Sequence, residues 1–259
     1  MNQYAHHKKP SLPKNRLIIG RKPLLEAMSE GKNIDKIFLL QSATGSDVDL
    51  IKQTAQAKAI PVSRVPAEKL NRFSRANHPG VVAIAGLIPF QPLQEIISRT
   101  IERGEVPFIV MSDGITDTRN IGALARSAYC YGAHALILPA SHNASITEEA
   151  IKTSAGALEH LPVCRVKSVE VAYDILHLNG IATIATSLSA TQSIAAVDLT
   201  APTAWVLGSE DKGVSSFVLK KSSDIVRIPM SDKFDSLNVA VAGGILFYET
   251  FRQRAHEQG

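Results

Sequence analysis

Cysteine is nearly missing from this sequence, with Cys130 and Cys164 the only two in 259 residues. Two isolated thiols among apolar neighbours make neither a disulfide framework nor a zinc site, so both read as core packing. Long apolar runs are missing too. Segments such as PFIVM (Pro107 to Met111) and ALILP (Ala135 to Pro139) are short and punctuated by polar residues, which excludes a bilayer-spanning helix. The amino terminus, MNQYAHHKKP, lacks the apolar core of a signal peptide, and a cytosolic location is expected. No acidic residue occurs between Met1 and Lys22, where Lys8, Lys9, Lys14, Arg16, Arg21 and Lys22 fall. Such a stretch suits phosphates, although taken alone it reads first as a solvated tail.

The familiar cofactor and nucleophile signatures are absent as well. No G-x-G-x-x-G follows the first strong strand after Pro107, which removes the dinucleotide fingerprint and the similar glycine-rich turn of ordinary methyltransferases. GSEDKGVS, from Gly208 to Ser215, has the glycine spacing of a phosphate-binding loop, but Val214 stands where the lysine must be. ATP or GTP hydrolysis is disfavoured. A hydrolase elbow G-x-S-x-G and a metal spacing such as H-E-x-x-H are missing, so no metal site is expected.

What is present is the composition of a globular protein, 45% apolar and 20% charged, with a net charge of +4. The chain is long enough for two modest domains. After a basic tail over 1–15, RLIIG, KIFLL, PVSRV and GVVAIAGLI read as strands. Between them lie helical segments at LLEAM, DVDLIKQTAQAK (with Val48, Ile51 and Ala55 on one face) and PAEKLNRF. This defines a small α/β domain over 16–88. Prolines bracket a charged stretch over 89–106, which reads as a linker with room for one helix. From 107 to 259 the alternation restarts with stronger hydrophobic strands, PFIVM, ALILP, PVCRV, IATIATS, AWVLG and DIVRIPM, as expected of a mostly parallel sheet covered on both faces. Ile121, Leu124, Ala125 and Ala128 share a helix face, Ser145 with Glu148 signals a capping box, and a final helix is expected from about Leu237 to Arg252. Gly243 and Gly244 weaken that helix by close to 1 kcal/mol each relative to alanine, which calls for compensating close packing.

Three segments at strand ends are dense in glycine and polar residues: DGITDTRNIGALARSA (Asp113 to Ala128), WVLGSEDKGVS (Trp205 to Ser215) and IPMSDKFDSLNVAVAGG (Ile228 to Gly244). In order, spacing and identity they resemble the three motifs of the SpoU (TrmH) family, the RNA ribose 2′-O-methyltransferases of the SPOUT superfamily. GRKPLLEA and NHPGVVA in the first domain resemble the substrate-binding domain of several members, similar in fold to ribosomal proteins of the L30e and L7Ae type. The sequence departs from the family pattern at His78, where many members have glutamine, at Thr118 in place of a common proline, and at Asp232 to Asp235 in place of an early glycine.

The resemblance implies a carboxyl-terminal α/β domain with a deep trefoil knot, S-adenosylmethionine as cofactor, RNA as partner and a homodimer. It implies catalytic roles for Arg126, Asn120, Glu210, Ser236 and Asn238. Backbone-rich cofactor contacts fall at Thr186, Leu207, Gly208, Ile228, Met230 and Leu237. Read without it, Asn120 is a helix cap, Arg126 a solvated helix arginine, Glu210 a surface acid in a turn and Ser236 the cap of the last helix. Leu207, Ile228 and Leu237 would pass for core residues. The resemblance favours ribosomal RNA over transfer RNA as substrate and leaves the proton acceptor open. A non-catalytic RNA-binding relative is the rival from another class, and a nucleotide-dependent α/β enzyme is disfavoured by the missing glycine fingerprints.

Overall fold

The computed structural model describes residues 16–73, 79–141, 143–231 and 236–257. Lys8, Lys9, Lys14, His78 and the segment Asp232 to Asp235 lie outside the described residues. The chain divides into two compact units between Gly86 and Leu87.

In the first unit the chain runs β1 (Leu17–Ile19), α1 (Arg21–Ser29), β2 (Ile34–Leu40), α2 (Ser46–Ala57), β3 (Val62–Val65), α3 (Ala67–Phe73) and β4 (Val81–Ala85). The sheet order is β1-β4-β2-β3. β4 is antiparallel to both neighbours while β2 and β3 are parallel. Alternation along β2 sends Ile37 and Leu39 toward α1 and α2, and Phe38 toward Leu70 of α3. Val48, Ile51 and Ala55 are fully buried, as their helical spacing predicts.

The second unit is a seven-stranded sheet in the order β7-β6-β5-β10-β8-β11-β9. Every pairing in it is parallel. Its strands are β5 (Phe108–Asp113), β6 (Ala135–Pro139), β7 (Val163–Val166), β8 (Ala182–Thr186), β9 (Gln192–Ser193), β10 (Thr203–Gly208) and β11 (Asp224–Arg227). Around them are α4 (Leu93–Glu102), α5 (Thr118–Cys130), α6 (Glu148–Ser154), α7 (Ala157–His160), α8 (Val169–Leu178), α9 (Ser216–Lys221) and α10 (Val239–Glu257). One face carries α5, α6, α7 and α10, the other α4, α8 and α9. β6 is buried along its whole length because both faces are covered.

Several expectations change in detail. Residues 89–106, expected as a linker, belong to the second unit, because Leu93, Ile96 and Ile97 of α4 are buried against strand residues Ile109, Met111 and Ile137. The cap of α6 is Thr147, whose hydroxyl accepts from the Ala150 N–H at 3.2 Å, and not Ser145. Cys164 is buried, and desolvation pushes its thiol up to about 12. Cys130 is exposed rather than core, because Ala128 holds the inward position at the end of α5 and Tyr129 and Cys130 turn outward.

The last helix begins at Val239, two residues later than expected, and runs to Glu257. Gly243 has its packing reason: a Cβ there would sit 2.4 Å from Leu124 Cδ1, so the glycine lets α10 close on α5. Phe247 and Leu246 fill the core, while Val241, Ile245 and Tyr248 face outward. Two side chains fasten α10 to the sheet. The buried Trp205 indole donates to Thr250 Oγ1 at 2.9 Å. The Arg254 guanidinium donates to the carbonyls of Val106, Pro107, Leu199 and Ala201 at the amino ends of β5 and β10. Burial lowers the Arg254 pKa to about 10.

Candidate active site at the carboxyl ends of the parallel strands

Ligands in open parallel α/β sheets collect where adjacent strands send their connections in opposite directions. Here β5 continues to β6 on one side, while β10 lies on the other. Asp113 and Gly208 end the two strands side by side. Past β10 the chain makes a tight turn in which Ser209 and Gly213 exchange two backbone hydrogen bonds of 3.1 and 2.8 Å. A Cβ on Gly208 would lie 2.0 Å from the Gly213 carbonyl carbon, so only glycine permits the turn to fold back on the strand. That fold-back carries Glu210.

Three polar side chains from three elements meet at this point. Glu210 Oε1 accepts from Asn120 Nδ2 at 2.9 Å and from Asn238 Nδ2. Asn238 Nδ2 also lies 3.1 Å from Asn120 Oδ1. Asn120, on α5, is buried. It is not the helix cap, since Asp117 accepts from the Arg119 N–H at 2.8 Å and takes that role. Nor does Ser236 cap α10: Asn238 Oδ1 accepts from the N–H groups of Ala240 and Val241. Asn238 therefore orients the helix and grips the carboxylate at once. Beside the network, the Arg119 guanidinium holds the Asp117 carboxyl below its ordinary range.

A cleft of about 560 Å³ opens next to the network. Thr186, Leu207, Gly208, Ile228, Met230 and Leu237, the positions to which the family pattern assigns cofactor contacts, all line it, together with Glu210 and Ser236. They come from the ends of β8, β10 and β11 and from the approach to α10, which explains why no single stretch announced them. Arg126 is placed apart. It is exposed on α5 and is not among the residues lining the cleft. Lys212, Leu188 and Arg227 also line the cleft and were not anticipated, since each is an ordinary surface residue when read locally. Among the described residues, no group of three or more His, Cys, Asp or Glu is placed to hold a metal ion.

A doubly covered parallel sheet, a cleft at the carboxyl ends of β8, β10 and β11 and a carboxylate held by two amides define an α/β protein with a site of small-ligand size and without the usual glycine fingerprint. The chain belongs to the SpoU rRNA methylase family, whose model matches residues 107–248. A second model, RNA 2′-O ribose methyltransferase substrate binding, matches residues 17–89. The chain is thus a SpoU/TrmH-type RNA methyltransferase. A putative TrmH family tRNA/rRNA methyltransferase of Bacillus subtilis, YacO, is 30% identical over 92% of this chain and 95% of that protein. The SpoU methyltransferase AviRb from Streptomyces viridochromogenes, solved in complex with AdoMet, is 27% identical with a TM-score of 0.60, covering 92% of this chain and 90% of AviRb. The TrmH/SpoU tRNA modifying enzyme of A. aeolicus, 26% identical with a TM-score of 0.55, covers 63% of this chain and 86% of its own.

Proposed function

We propose that the chain transfers the methyl group of S-adenosylmethionine to a ribose 2′-hydroxyl of structured RNA, with large-subunit ribosomal RNA the favoured substrate and transfer RNA the alternative. The observation that carries this is the convergence of six residues from four separate segments on one cleft, with the Asn120–Glu210–Asn238 network at its edge. The cleft has the size of a small-ligand site. It combines apolar walls at Leu207, Ile228 and Val239 with the backbone of the Gly208–Gly213 turn, a surface suited to an adenosine and its methionyl chain. Bound there, the cofactor supplies an electrophilic methyl on a sulfonium.

The chain's own residues do the rest. Glu210, fixed by two amide donors, holds Asn120 and Asn238 in register at the methyl-acceptor side. Ser236 lines the cleft. A ribose hydroxyl is a weak nucleophile that must lose its proton as it attacks, so a positioned cation lowers the barrier. The family pattern assigns that cation to Arg126, which would act from outside the cleft, on the RNA's side, gripping the neighbouring phosphate and stabilising the developing alkoxide with its planar fork. The first unit, up to Gly86, serves as the RNA-binding domain and Leu87–Gly259 as the catalytic one, with the cofactor loops threaded as a trefoil knot. The exposed Val241, Ile245 and Tyr248 form the contact of a homodimer, which light scattering would show as a doubled mass.

Calorimetry with S-adenosylmethionine and its demethylated product, followed by mapping of 2′-O-methyl sites in cells with and without the chain, tests the reading. Binding of both cofactor forms and loss of a single ribosomal site are expected. RNA binding without cofactor affinity would replace it with a non-catalytic role.

A further inference from the structure

Asn143 lies outside every segment that the family pattern marks, yet its side chain uses its full hydrogen-bonding capacity. Oδ1 accepts from the Ser112 hydroxyl and from the Gly114 N–H at 3.1 Å, and Nδ2 donates to the carbonyls of Pro139 and Ser141, both at 3.1 Å. The amide thereby bolts the carboxyl end of β5 to that of β6. Next to it, the Ala144 N–H donates to the Ile115 carbonyl at 2.8 Å, extending the seam by one backbone bond. The same β5 end is held from its other flank by Asp113, whose Oδ2 accepts from the Ser215 N–H at 2.6 Å.

The position of this seam gives it a consequence. Gly114, with φ of +86°, opens the turn that leaves β5, and only Ile115 and Thr116 separate it from Asp117, the cap of α5. Asn120 follows within the first turn of that helix. A shift of Gly114 therefore passes directly to Asn120 and from there to Glu210 and Asn238. The cofactor cleft, built from β8, β10 and β11, includes neither Asn143 nor its partners. Ser112 is fully buried, so its hydroxyl has little choice of partner if Asn143 is removed.

We infer that Asn143 is a positioning residue for methyl transfer: it sets the register of α5, and so of Asn120 and Arg126, against the Glu210 turn, without touching substrate or cofactor. This rests on the methyltransferase reading above. A misplacement of about 1 Å in a reacting geometry can cost on the order of 100-fold in rate, so the chemical step is the quantity to watch.

The test uses the full chain, S-adenosylmethionine with a labelled methyl group, and unmodified large-subunit ribosomal RNA transcribed in vitro. Asn143→Ala is expected to lower the single-turnover rate at saturating cofactor by about tenfold or more, with cofactor affinity by calorimetry within a factor of about two. Asn143→Asp keeps both acceptor bonds but turns its second carboxylate oxygen against the Pro139 and Ser141 carbonyls, so it should lose rate as Asn143→Ala does, again at unchanged cofactor affinity. Ser112→Ala, which removes one bond of the four, gives a graded loss should Asn143→Ala fail to fold. Asn143→Ala at the wild-type rate would overturn the inference. So would a rate loss that merely follows the folded fraction, or one matched by an equal loss of cofactor affinity. A wild-type chain that binds cofactor but methylates neither this transcript nor transfer RNA would instead overturn the methyltransferase reading, and the role of Asn143 with it.

Discussion

Arg126 and Asn120 share a helix but not a task. Asn120 is buried and committed to Glu210 and Asn238, whereas Arg126, further along α5, is exposed and stands outside the cleft. This separation predicts separable defects. Arg126→Ala should abolish methyl transfer in single-turnover assays while leaving S-adenosylmethionine affinity nearly intact, and Arg126→Lys should rescue poorly because it keeps charge but loses the bidentate fork. A near-wild-type rate for Arg126→Ala would remove it from the reaction. Legibility differed in the same way from residue to residue. Asn120, Glu210 and Asn238 were visible through their motifs, while Asn143 was not, because its four partners come from two strand ends and nothing in its local sequence distinguishes it. The bland readings failed on geometry: Asp117 and Asn238 cap the helices that Asn120 and Ser236 would have capped.

At the scale of elements, alternation and burial carried the strands and the main helices, since β5 and β6 are buried on both faces and α5 shows a clear apolar stripe. Less was legible where long-range packing decides. α4 lies in a charged, proline-flanked stretch, and only the sheet face it covers shows why it belongs to the core. The exposed stripe of α10 and its buried stripe, with Leu246, Phe247 and Thr250, are both largely apolar, so periodicity alone could not say which faces inward.

Two predictions concern how these elements are held. Thr250→Val preserves shape but leaves the buried Trp205 N–H without its acceptor, at a cost of about 1–3 kcal/mol. Urea unfolding should show a lower midpoint with an unchanged slope. His134 ties the start of β5 to Glu105: Nδ1 accepts from the Phe108 N–H at 3.0 Å and Nε2 lies 3.1 Å from Glu105 Oε2. Burial lowers its pKa below the ordinary value of 6.5, against an opposing pull from Glu105. The folded state thus binds fewer protons than the unfolded one, so this contribution is complete above about pH 6.5 and is lost as pH falls through the lower folded value. Melting temperatures measured from pH 8 to 5 should fall on the acid side, and more shallowly in His134→Asn. An identical slope in that variant would exclude His134 as the cause.

For the whole molecule, the division between Gly86 and Leu87 and the separate cores on each side of it predict independent labour. A chain beginning at Leu87, which retains α4, should fold and bind S-adenosylmethionine alone. It should bind RNA more weakly and with a shallower dependence on salt, because the basic residues preceding β1 are gone. Unchanged RNA affinity across a salt series would shift the RNA-binding role to the second unit. The fold class and the two-part organisation were legible from composition, alternation and motif order. The convergence of strand ends on one cleft was not, because it depends on a strand order, β5-β10-β8-β11, that crosses the sequence.

The contrast between the two thiols has a practical side. Cys164 is sealed in the sheet with its pKa near 12, and Cys130 lies open at the end of α5, next to Tyr131, whose ring meets Tyr248 and Phe251 of α10. The native chain therefore carries a single alkylatable handle, beside the apolar stripe, without any engineering. Maleimide should add one mass tag per chain, and only unfolding should admit a second. Because thiolates react and thiols do not, the rate of the first addition becomes a chemical gauge of access to that stripe, and slowing with protein concentration would report the proposed homodimer contact.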